Sequence, residues 1–509
     1  MKFRSFTFLL ILFSAVSEPV RSAETTGLET TTSRDEVNHV PASKMNFIQV
    51  ADDQWTFKES VTGKPFIPIG VNYYDPNTGW PPKFWTQFDE ARTREHFKQM
   101  QECHITVARV FLTRAFFMPT AEAVDESAMR VLDKLIAIAK EHDIKLILNG
   151  MEHWDGEPPW FTGEASRFVS EDIMTIEARF WETMANRYKD EDTIFSWTLV
   201  NEPHIQWSDD FGQLAKWQAW VSEKHQKINA LNTAWGKSYP DFGSVTTPPA
   251  AWKPGDQELY DYQLFREHLG DVWSKRMVSA IRKHDPNHMI TLGFVQNTAP
   301  FDGFKAGPEW HTRGFNLKSQ AALFDYQSIH YYPLSGSYPF GDPFESKEAY
   351  HRAINFLKVI LSYSDYGKPV ILEEFGWYSG AGPIAPSGLQ LGDRTEDEQA
   401  EIVRDMIVET TAYASGYIVW PMYDNLTSLD LSKFAGLATN EGKLKQSGLV
   451  LSETFKDMAT HMKPRNRLTD VTFEIDHRSL LTSAEYQDEV RGKLLKIVDQ
   501  NQNIYYKFK

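Results

Sequence analysis

The feature that most constrains the fold is a series of eight short apolar segments, each followed by a stretch with the spacing of a helix. The segments occupy residues 66–74, 106–112, 145–153, 194–202, 289–294, 326–332, 370–377 and 417–423. Strands that are apolar on both faces and alternate with helices favour a parallel sheet covered on both sides. Eight such units predict an α/β fold, a closed (β/α)8 TIM barrel.

The segments between the strands carry clear helix signals. From Ala128 onward, Val131, Leu132 and Leu135 form an apolar stripe at helical spacing. Thr395 and Glu398 stand at the spacing of a capping box. A doubly wound open sheet would also alternate strands and helices, but none of the eight strands is followed by a glycine-rich nucleotide-binding loop. The pattern therefore favours the barrel.

The ends of the chain predict further segments. Residues 1–22 combine a basic start, a short apolar run and small residues, which is typical of a secretory signal peptide, with cleavage after Ser17 or Ser22, and predicts a secreted or periplasmic protein. Residues 23–44 lack periodicity and predict a flexible leader. We expect the barrel over residues 45–462, opened by an N-terminal hairpin, and a small C-terminal β appendage over 463–509.

Polar or aromatic residues stand near the C-terminal ends of most of the predicted strands. They are Arg109, His153, Asn201, Glu202, His330, Tyr332, Glu373, Glu374 and Trp420. In a barrel these ends converge on one mouth, where Glu202 and Glu374 would face each other. Facing carboxyl groups suit glycoside cleavage, in which one protonates the leaving oxygen and the other attacks the anomeric carbon. Because neighbouring strand residues alternate, Glu373 is predicted to be paired behind the sheet.

The motifs at these strand ends resemble those of the clan A (β/α)8 glycoside hydrolases, most of all the family 5 cellulases and mannanases, over residues 45 to about 460. In that clan the acid/base glutamate follows an asparagine after strand four, as in NEP at 201–203. The nucleophile ends strand seven, as in EFG at 374–376, and strand six carries H-x-Y, as at 330–332. The stretch INALNTAWGKSY at 228–239 is instead similar to the family 42 β-galactosidases.

The resemblance implies a retaining hydrolase of β-linked mannosides, glucosides or galactosides, with Glu202 as acid/base and Glu374 as nucleophile. Asn201 would bind the sugar 2-hydroxyl, while Arg109 and Tyr332 would hold the nucleophile. Two alternatives are a non-catalytic carbohydrate-binding barrel, which would be expected to lack one of the two glutamates, and a transglycosidase, which would share every residue. Both glutamates are present, which argues against the first alternative, whereas the pattern does not separate hydrolysis from transfer.

Several of these residues also have structural interpretations. Arg109 could pair with a helix carboxylate, and His153 and His330 could be core histidines. By resemblance Trp420 is the platform for the sugar beside the scissile bond, yet tryptophan also fills cores. The same choice, between lining a sugar subsite and internal packing, applies to Trp154, Trp207 and Trp377.

Residues 205–255 form an insertion longer than a connector requires and contain five tryptophans. We expect the insertion to fold over one side of the mouth, so that Trp207 or another of its tryptophans contacts sugar and the enzyme prefers chain ends or short oligosaccharides. The alternative is that it packs on the outer helices and that its tryptophans are core.

Composition narrows the partners. A formal net charge of −16 argues against nucleic acid or an anionic membrane as partner, since both require a basic surface. Cys103 is the only cysteine, so no disulfide framework and no thiolate metal site is expected. No cluster of histidines and aspartates has metal-ligand spacing, and we expect neither metal nor organic cofactor. A carbohydrate substrate fits this surface, and the oligomeric state stays open.

Overall fold

The computed structural model of the protein describes residues 45–152, 157–301, 307–333, 342–384, 390–461 and 468–509. Its strands are β1 Ile48–Val50, β2 Phe57–Glu59, β3 Pro65–Phe66, β4 Ile69–Asn72, β5 Val107–Thr113, β6 Lys145–Glu152, β7 Ile194–Asn201, β8 Met289–Val295, β9 Gln327–Tyr331, β10 Val370–Phe375, β11 Gly416–Val419, β12 Asp470–Ile475 and β13 Asn503–Phe508.

The helices alternate with these strands over most of the chain. They are α1 Lys83–Thr86, α2 Glu90–Glu102, α3 Arg114–Phe117, α4 Glu126–Glu141, α5 Glu164–Arg167, α6 Glu171–Tyr188, α7 Gln213–His225, α8 Ile228–Trp235, α9 Gln257–Arg282, α10 Leu317–Ala321, α11 Lys347–Ser364, α12 Glu396–Val408, α13 Gln446–His461, α14 His477–Thr482 and α15 Ala484–Val498. The predicted capping box of Thr395 and Glu398 opens α12. Within the described ranges, no helix is long and apolar enough to cross a membrane.

Strands β4 to β11 form the predicted barrel. They pair in parallel in chain order, and β11 pairs with β4 to close the barrel. Each of the eight strands lies within or next to one of the apolar segments of the sequence, and the (β/α)8 prediction is confirmed. The C-terminal ends of the eight strands therefore surround one mouth.

The opposite end of the barrel is closed by the N-terminal hairpin. Strands β1, β2 and β3 form a small antiparallel sheet. From this sheet Ile48 and Phe57 pack into one apolar cluster with inward-facing side chains of the barrel, among them Phe195 and Ile371. The bottom of the barrel is thus a packed core, which leaves the mouth as the accessible end.

The insertion packs on the outside of the barrel. Its helices α7 and α8 both contact α9. Trp217 is buried and lies between parallel rings, with its ring centroid 5.6 Å from that of Trp220 and 5.7 Å from that of Trp235. Phe265 of α9 adds a further ring contact at 5.3 Å. Three of the five tryptophans therefore build a core against α9, as the alternative interpretation expects, while contact of Trp207 with sugar stays a prediction.

The C-terminal extension is not the all-β appendage that its sequence suggests. Between β12 and β13 lie α14 and α15, and the two strands pair in parallel, which requires such a crossover. The β appendage predicted over 463–509 would make the short apolar run around Leu494 a strand. Val490, Leu494 and Val498 are instead buried at helical spacing on one face of α15.

Candidate active site

Five polar side chains predicted from the sequence meet at the mouth. Arg109 comes from β5, Asn201 and Glu202 from the end of β7, His330 from β9 and Glu374 from β10. Their polar groups are joined by direct hydrogen bonds and ion pairs. Elements separated by up to 265 residues in sequence are thereby brought into one constellation.

Arg109 is the centre of this constellation and is fully buried. Its Nη1 donates to Glu374 Oε1 at 2.5 Å and to Asn72 Oδ1 at 2.9 Å. Its Nη2 donates to Asn149 Oδ1 at 2.8 Å and to Asn201 Oδ1 at 2.7 Å. A buried guanidinium held on several sides has one orientation, so it presents its charge to Glu374 in a fixed geometry.

Glu374 is held from two sides and remains 4% exposed. The hydroxyl of Tyr332 donates to its Oε2 at 3.1 Å, while Arg109 binds its Oε1. Both contacts fix the orientation of the carboxylate, as a nucleophile requires.

Glu202 has a different environment. Its pKa is raised by burial, and the charges of Arg313 and Arg109 offset part of that rise. A raised pKa keeps a carboxyl group protonated and able to donate. The backbone of Glu202 has φ of 44°, a left-handed conformation that is strained for a side-chain-bearing residue and that is found enriched at functional sites.

The two carboxyl groups lie close together across the mouth. One oxygen of Glu202, one of Glu374 and a ring nitrogen of His330 all lie within 4.8 Å of one another. Three such donors could also hold a cation. Arg109, however, already supplies the positive charge next to Glu374, so the described residues account for the site without a metal.

His330 lies close to both carboxyl groups. Its Nδ1 lies 3.0 Å from Glu202 Oε1 and 3.6 Å from Glu374 Oε2. Burial lowers the pKa of His330 to about 4, against smaller opposing effects of Glu374 and Glu373. Gly293 leaves room for this ring, because a Cβ there would stand 3.1 Å from Cε1 and Nε2 of His330 and 3.3 Å from Arg109 Nη2.

Glu373 does not lie behind the sheet, and that prediction is wrong. It is 0% exposed, and its Oε2 lies 3.3 Å from Arg109 Nε. The register of β10 against β9 shifts between Leu372 and Glu374. Such a bulge breaks the alternation of side chains, so Glu373 and Glu374 both reach Arg109 from the same face of the strand.

One wall of the mouth is aromatic. The indole of Trp420 stacks on that of Trp80, with ring centroids 4.7 Å apart and an angle of 26° between the planes. Tyr74 and Phe111 pack against the same pair. Trp420 is 4% exposed and donates from Nε1 to Ser432 Oγ at 3.0 Å. Aromatic faces of this kind suit the CH-rich faces of sugars. Trp80, which the sequence analysis did not name, is therefore a second candidate sugar-binding residue beside Trp420.

The other predicted tryptophans are placed differently. Trp377 is 1% exposed and packs on Tyr378 and Phe344, so it offers no face to the mouth. Trp207 is half-buried, packs against Tyr262 and donates to the carbonyl of Pro248, which are contacts within the insertion and α9. These contacts fit internal packing for Trp377, whereas contact of Trp207 with sugar stays a prediction. His153 and Trp154 lie outside the described residues.

The other side of the mouth is formed by residues that follow β7 and β8. His204 stacks on Trp310 with centroids 4.6 Å apart, and the guanidinium carbon of Arg313 lies 5.7 Å from the Trp310 ring centroid. The amide of Ile205, three residues after Glu202, donates to the carbonyl of Arg313 and ties the two segments together. The sequence analysis missed Arg313 and Trp310, since neither stands at a strand end.

Asn72 and Asn149 were missed although a signal exists. Each is a lone amide in an otherwise apolar segment, and each accepts from Arg109. A polar side chain buried in a strand is costly unless it is paired. Position alone could therefore have marked both as partners of a buried charge.

Comparison with known proteins agrees with this geometry. A family profile described as Beta-galactosidase matches residues 152–374, and one described as Cellulase (glycosyl hydrolase family 5) matches residues 61–239. Both resemblances predicted from the motifs are confirmed. Mannan endo-1,4-beta-mannosidase 8 of Oryza sativa subsp. japonica is 26% identical over a segment that covers 34% of this chain and 51% of that protein.

Solved structures share the fold. A variant of GH5_18 from Streptomyces cattleya in complex with Manb1-4GlcNAc has a TM-score of 0.61 at 18% identity, covering 87% of this chain and 94% of that one. The exo-beta-1,4-mannosidase Op5Man5 of Opitutaceae bacterium strain TAV5 has a TM-score of 0.61 at 15% identity, covering 90% and 72%. Among the relatives by sequence, the matching segments span 42%, 51% and 69% of three rice endo-mannosidases, about half their length.

Proposed function

We propose that the protein is a retaining glycoside hydrolase that cleaves β-linked mannosides. The observation that carries this proposal is the pair formed by Glu202 and Glu374, of which one oxygen each lies within 4.8 Å of the other. Retaining enzymes hold their carboxyl groups about 5 to 5.5 Å apart, whereas inverting enzymes leave about 6.5 to 9.5 Å for a water molecule.

The two glutamates have the environments that the two roles require. Glu374, ionised beside Arg109 and Tyr332, attacks the anomeric carbon. The bond from that carbon to the leaving oxygen breaks, its electron pair passes to the oxygen, and protonated Glu202 donates the proton there. Glu202, now a carboxylate, takes a proton from water, and the resulting hydroxide displaces Glu374 from the sugar.

The preference for β-mannosides rests on the relatives. The rice protein is named as a mannan endo-1,4-beta-mannosidase, the Streptomyces cattleya structure is a complex with Manb1-4GlcNAc, and Op5Man5 is named as an exo-beta-1,4-mannosidase. The aromatic wall of Trp80 and Trp420 supplies a surface for a sugar ring beside Glu374.

The test is a comparison of aryl β-mannoside, β-glucoside and β-galactoside as substrates, with the anomer of the first product followed by NMR. We expect kcat/KM to be highest for the mannoside, and the β anomer to form first. An α anomer as first product would overturn retention, and no hydrolysis of any of the three would overturn the proposed activity. Addition of a sugar acceptor separates hydrolysis from transfer, because only a transglycosidase yields mainly the longer glycoside.

A second candidate is a β-galactosidase. It is favoured by the Beta-galactosidase profile, which spans residues 152–374 and so includes both catalytic glutamates. In the same panel this candidate predicts the galactoside as the preferred substrate, so one experiment decides between the two.

We also infer that the protein is exported. The support is the basic and then apolar start of the sequence over residues 1–22, a segment outside the described residues. N-terminal sequencing of the protein recovered from the medium or periplasm should begin at residue 18 or 23, after one of the two cleavage sites. An intact Met1 on exported protein would contradict this.

A further inference from the structure

Glu373 is a second carboxylate that the proposed mechanism does not use. It is fully buried, one residue before the nucleophile, and it accepts hydrogen bonds from the hydroxyls of Tyr326 at 3.0 Å and Ser328 at 2.5 Å. Its Oε2 also lies 3.3 Å from Arg109 Nε. Two hydroxyl donors and a guanidinium around one carboxyl group fit its ionised form, which only accepts.

Arg109 is consequently shared by two carboxylates. A guanidinium has five N–H groups in a fixed fork. Nη1 and Nη2 donate to Glu374 and three asparagines, and Nε lies 3.3 Å from Glu373 Oε2 as an ion pair. The charges of Arg109, Glu373 and Glu374 add to one net negative charge while the enzyme is free.

The reaction changes this balance. When Glu374 forms its bond to the anomeric carbon it becomes a neutral ester, so Arg109 loses one of its two counter-ions. An unpaired cation in a buried site is strongly unfavourable. Glu373 takes no part in the bond changes and keeps its charge, so Arg109 stays paired throughout.

We propose that Glu373 is a positioning residue that acts through Arg109: it is the permanent counter-ion that keeps the guanidinium neutralised in the glycosyl-enzyme, while the three asparagines hold it in place. This proposal rests on the proposed function, because it concerns the step in which Glu374 is consumed. The bulge in β10 between Leu372 and Glu374 allows Glu373 and Glu374 both to reach Arg109.

Several titratable groups lie around Glu373 and Glu374, and each can influence the pH dependence of the reaction. They are Arg109 from β5, Glu202 after β7, Tyr326 before β9, and His330 and Tyr332 at the end of β9. Removal of the negative charge of Glu373 makes ionisation of Glu374 easier, because one like charge is lost. A variant in which Arg109 simply drifted away would show the opposite change.

The experiment is the pH profile of kcat/KM for Glu373→Gln on the best aryl glycoside of the panel. We expect the acid limb to move to lower pH by about one unit, and kcat to fall about a hundredfold because the intermediate would contain an unpaired Arg109. The matched control is Glu177→Gln, since Glu177 is also fully buried and paired with arginines, but on α6. Its acid limb should match that of the wild type.

Glu373→Asp provides a second test if the glutamine variant does not fold. It keeps the charge but draws it back by one methylene, so the acid limb should stay within about 0.3 pH unit while kcat falls about tenfold. Unchanged kcat in both variants, or an acid limb of Glu373→Gln that moves to higher pH, would overturn the proposal. An inactive wild type would instead overturn the proposed function, and this inference with it.

Discussion

Nδ1 of His330 lies 3.0 Å from Oε1 of Glu202. Because burial lowers the pKa of His330 to about 4, its ring is neutral near neutral pH and offers one N–H donor. A neutral donor can orient the acid/base without adding a charge that would lower its pKa. The two glutamates thus have hydrogen-bond partners of different charge: Glu374 is bound by the cation Arg109, and Glu202 by the neutral ring of His330.

The first prediction concerns the roles of the two glutamates. Glu374→Ala and Glu202→Ala should each lower kcat by several orders of magnitude, because each removes a group that touches the reacting atoms. Azide should restore activity in both, but with opposite products: the α-glycosyl azide for Glu374→Ala and the β-glycosyl azide for Glu202→Ala. A surface variant, Glu182→Gln, serves as the control. Interchanged products would mean that the two assignments are reversed.

The second prediction is a shift in pH dependence. Glu202 acts as the acid while it is protonated, so kcat/KM falls as the pH rises through its pKa. The charge of Arg313 lowers this pKa, and Arg313→Gln should move the alkaline limb to higher pH by about half a unit. Arg313→Lys keeps the charge and should leave the limb near its wild-type position. An alkaline limb that moved to lower pH would contradict the effect assigned to Arg313.

The third prediction tests the space beside His330. In Gly293→Ala the new methyl would stand 3.1 Å from the imidazole and 3.3 Å from Arg109 Nη2, closer than ordinary contact. Overpacking of this kind costs about 1 to 3 kcal/mol, and here it would displace two residues of the site. We expect a lower melting temperature together with a fall in kcat of at least tenfold. Wild-type kcat would show that the pair can move without consequence.

Much of the fold follows from the sequence because barrel strands are apolar on both faces and therefore stand out as continuous runs. The strand ends then identify Arg109, Glu202, His330 and Glu374 as neighbours. What periodicity cannot supply is a local change of register. The bulge in β10 depends on pairing with β9, a contact between distant segments, and it brings Glu373 and Glu374 to the same face of the strand.

The tryptophans show a second limit. Trp217 and Trp420 both lie in segments that the sequence places near the mouth. Composition cannot distinguish a tryptophan in a stacked core from one that binds sugar. Only the partners decide: Trp217 packs between two other indoles of the insertion, while Trp420 packs with Trp80 near the catalytic residues. Short apolar runs such as that around Leu494 are ambiguous for the same reason, since strands and helices both bury them.

The last prediction uses that contrast between the two tryptophans. Trp217→Ala removes the middle ring of a buried stack and should lower the free energy of unfolding by about 3 to 5 kcal/mol. Its kcat/KM should stay close to the wild type at temperatures where the variant is folded.

Trp420→Ala should instead affect kcat/KM more than the free energy of unfolding. Because its ring belongs to the wall of the mouth, we expect kcat/KM to fall by about a hundredfold, equivalent to the loss of roughly 2 to 3 kcal/mol of stacking and apolar contact with the sugar. Thermal denaturation and initial rates on the same aryl glycoside measure both quantities. If Trp217→Ala lost activity while its unfolding was unchanged, the insertion would reach the substrate after all, and its assignment as an outer packing unit would be wrong.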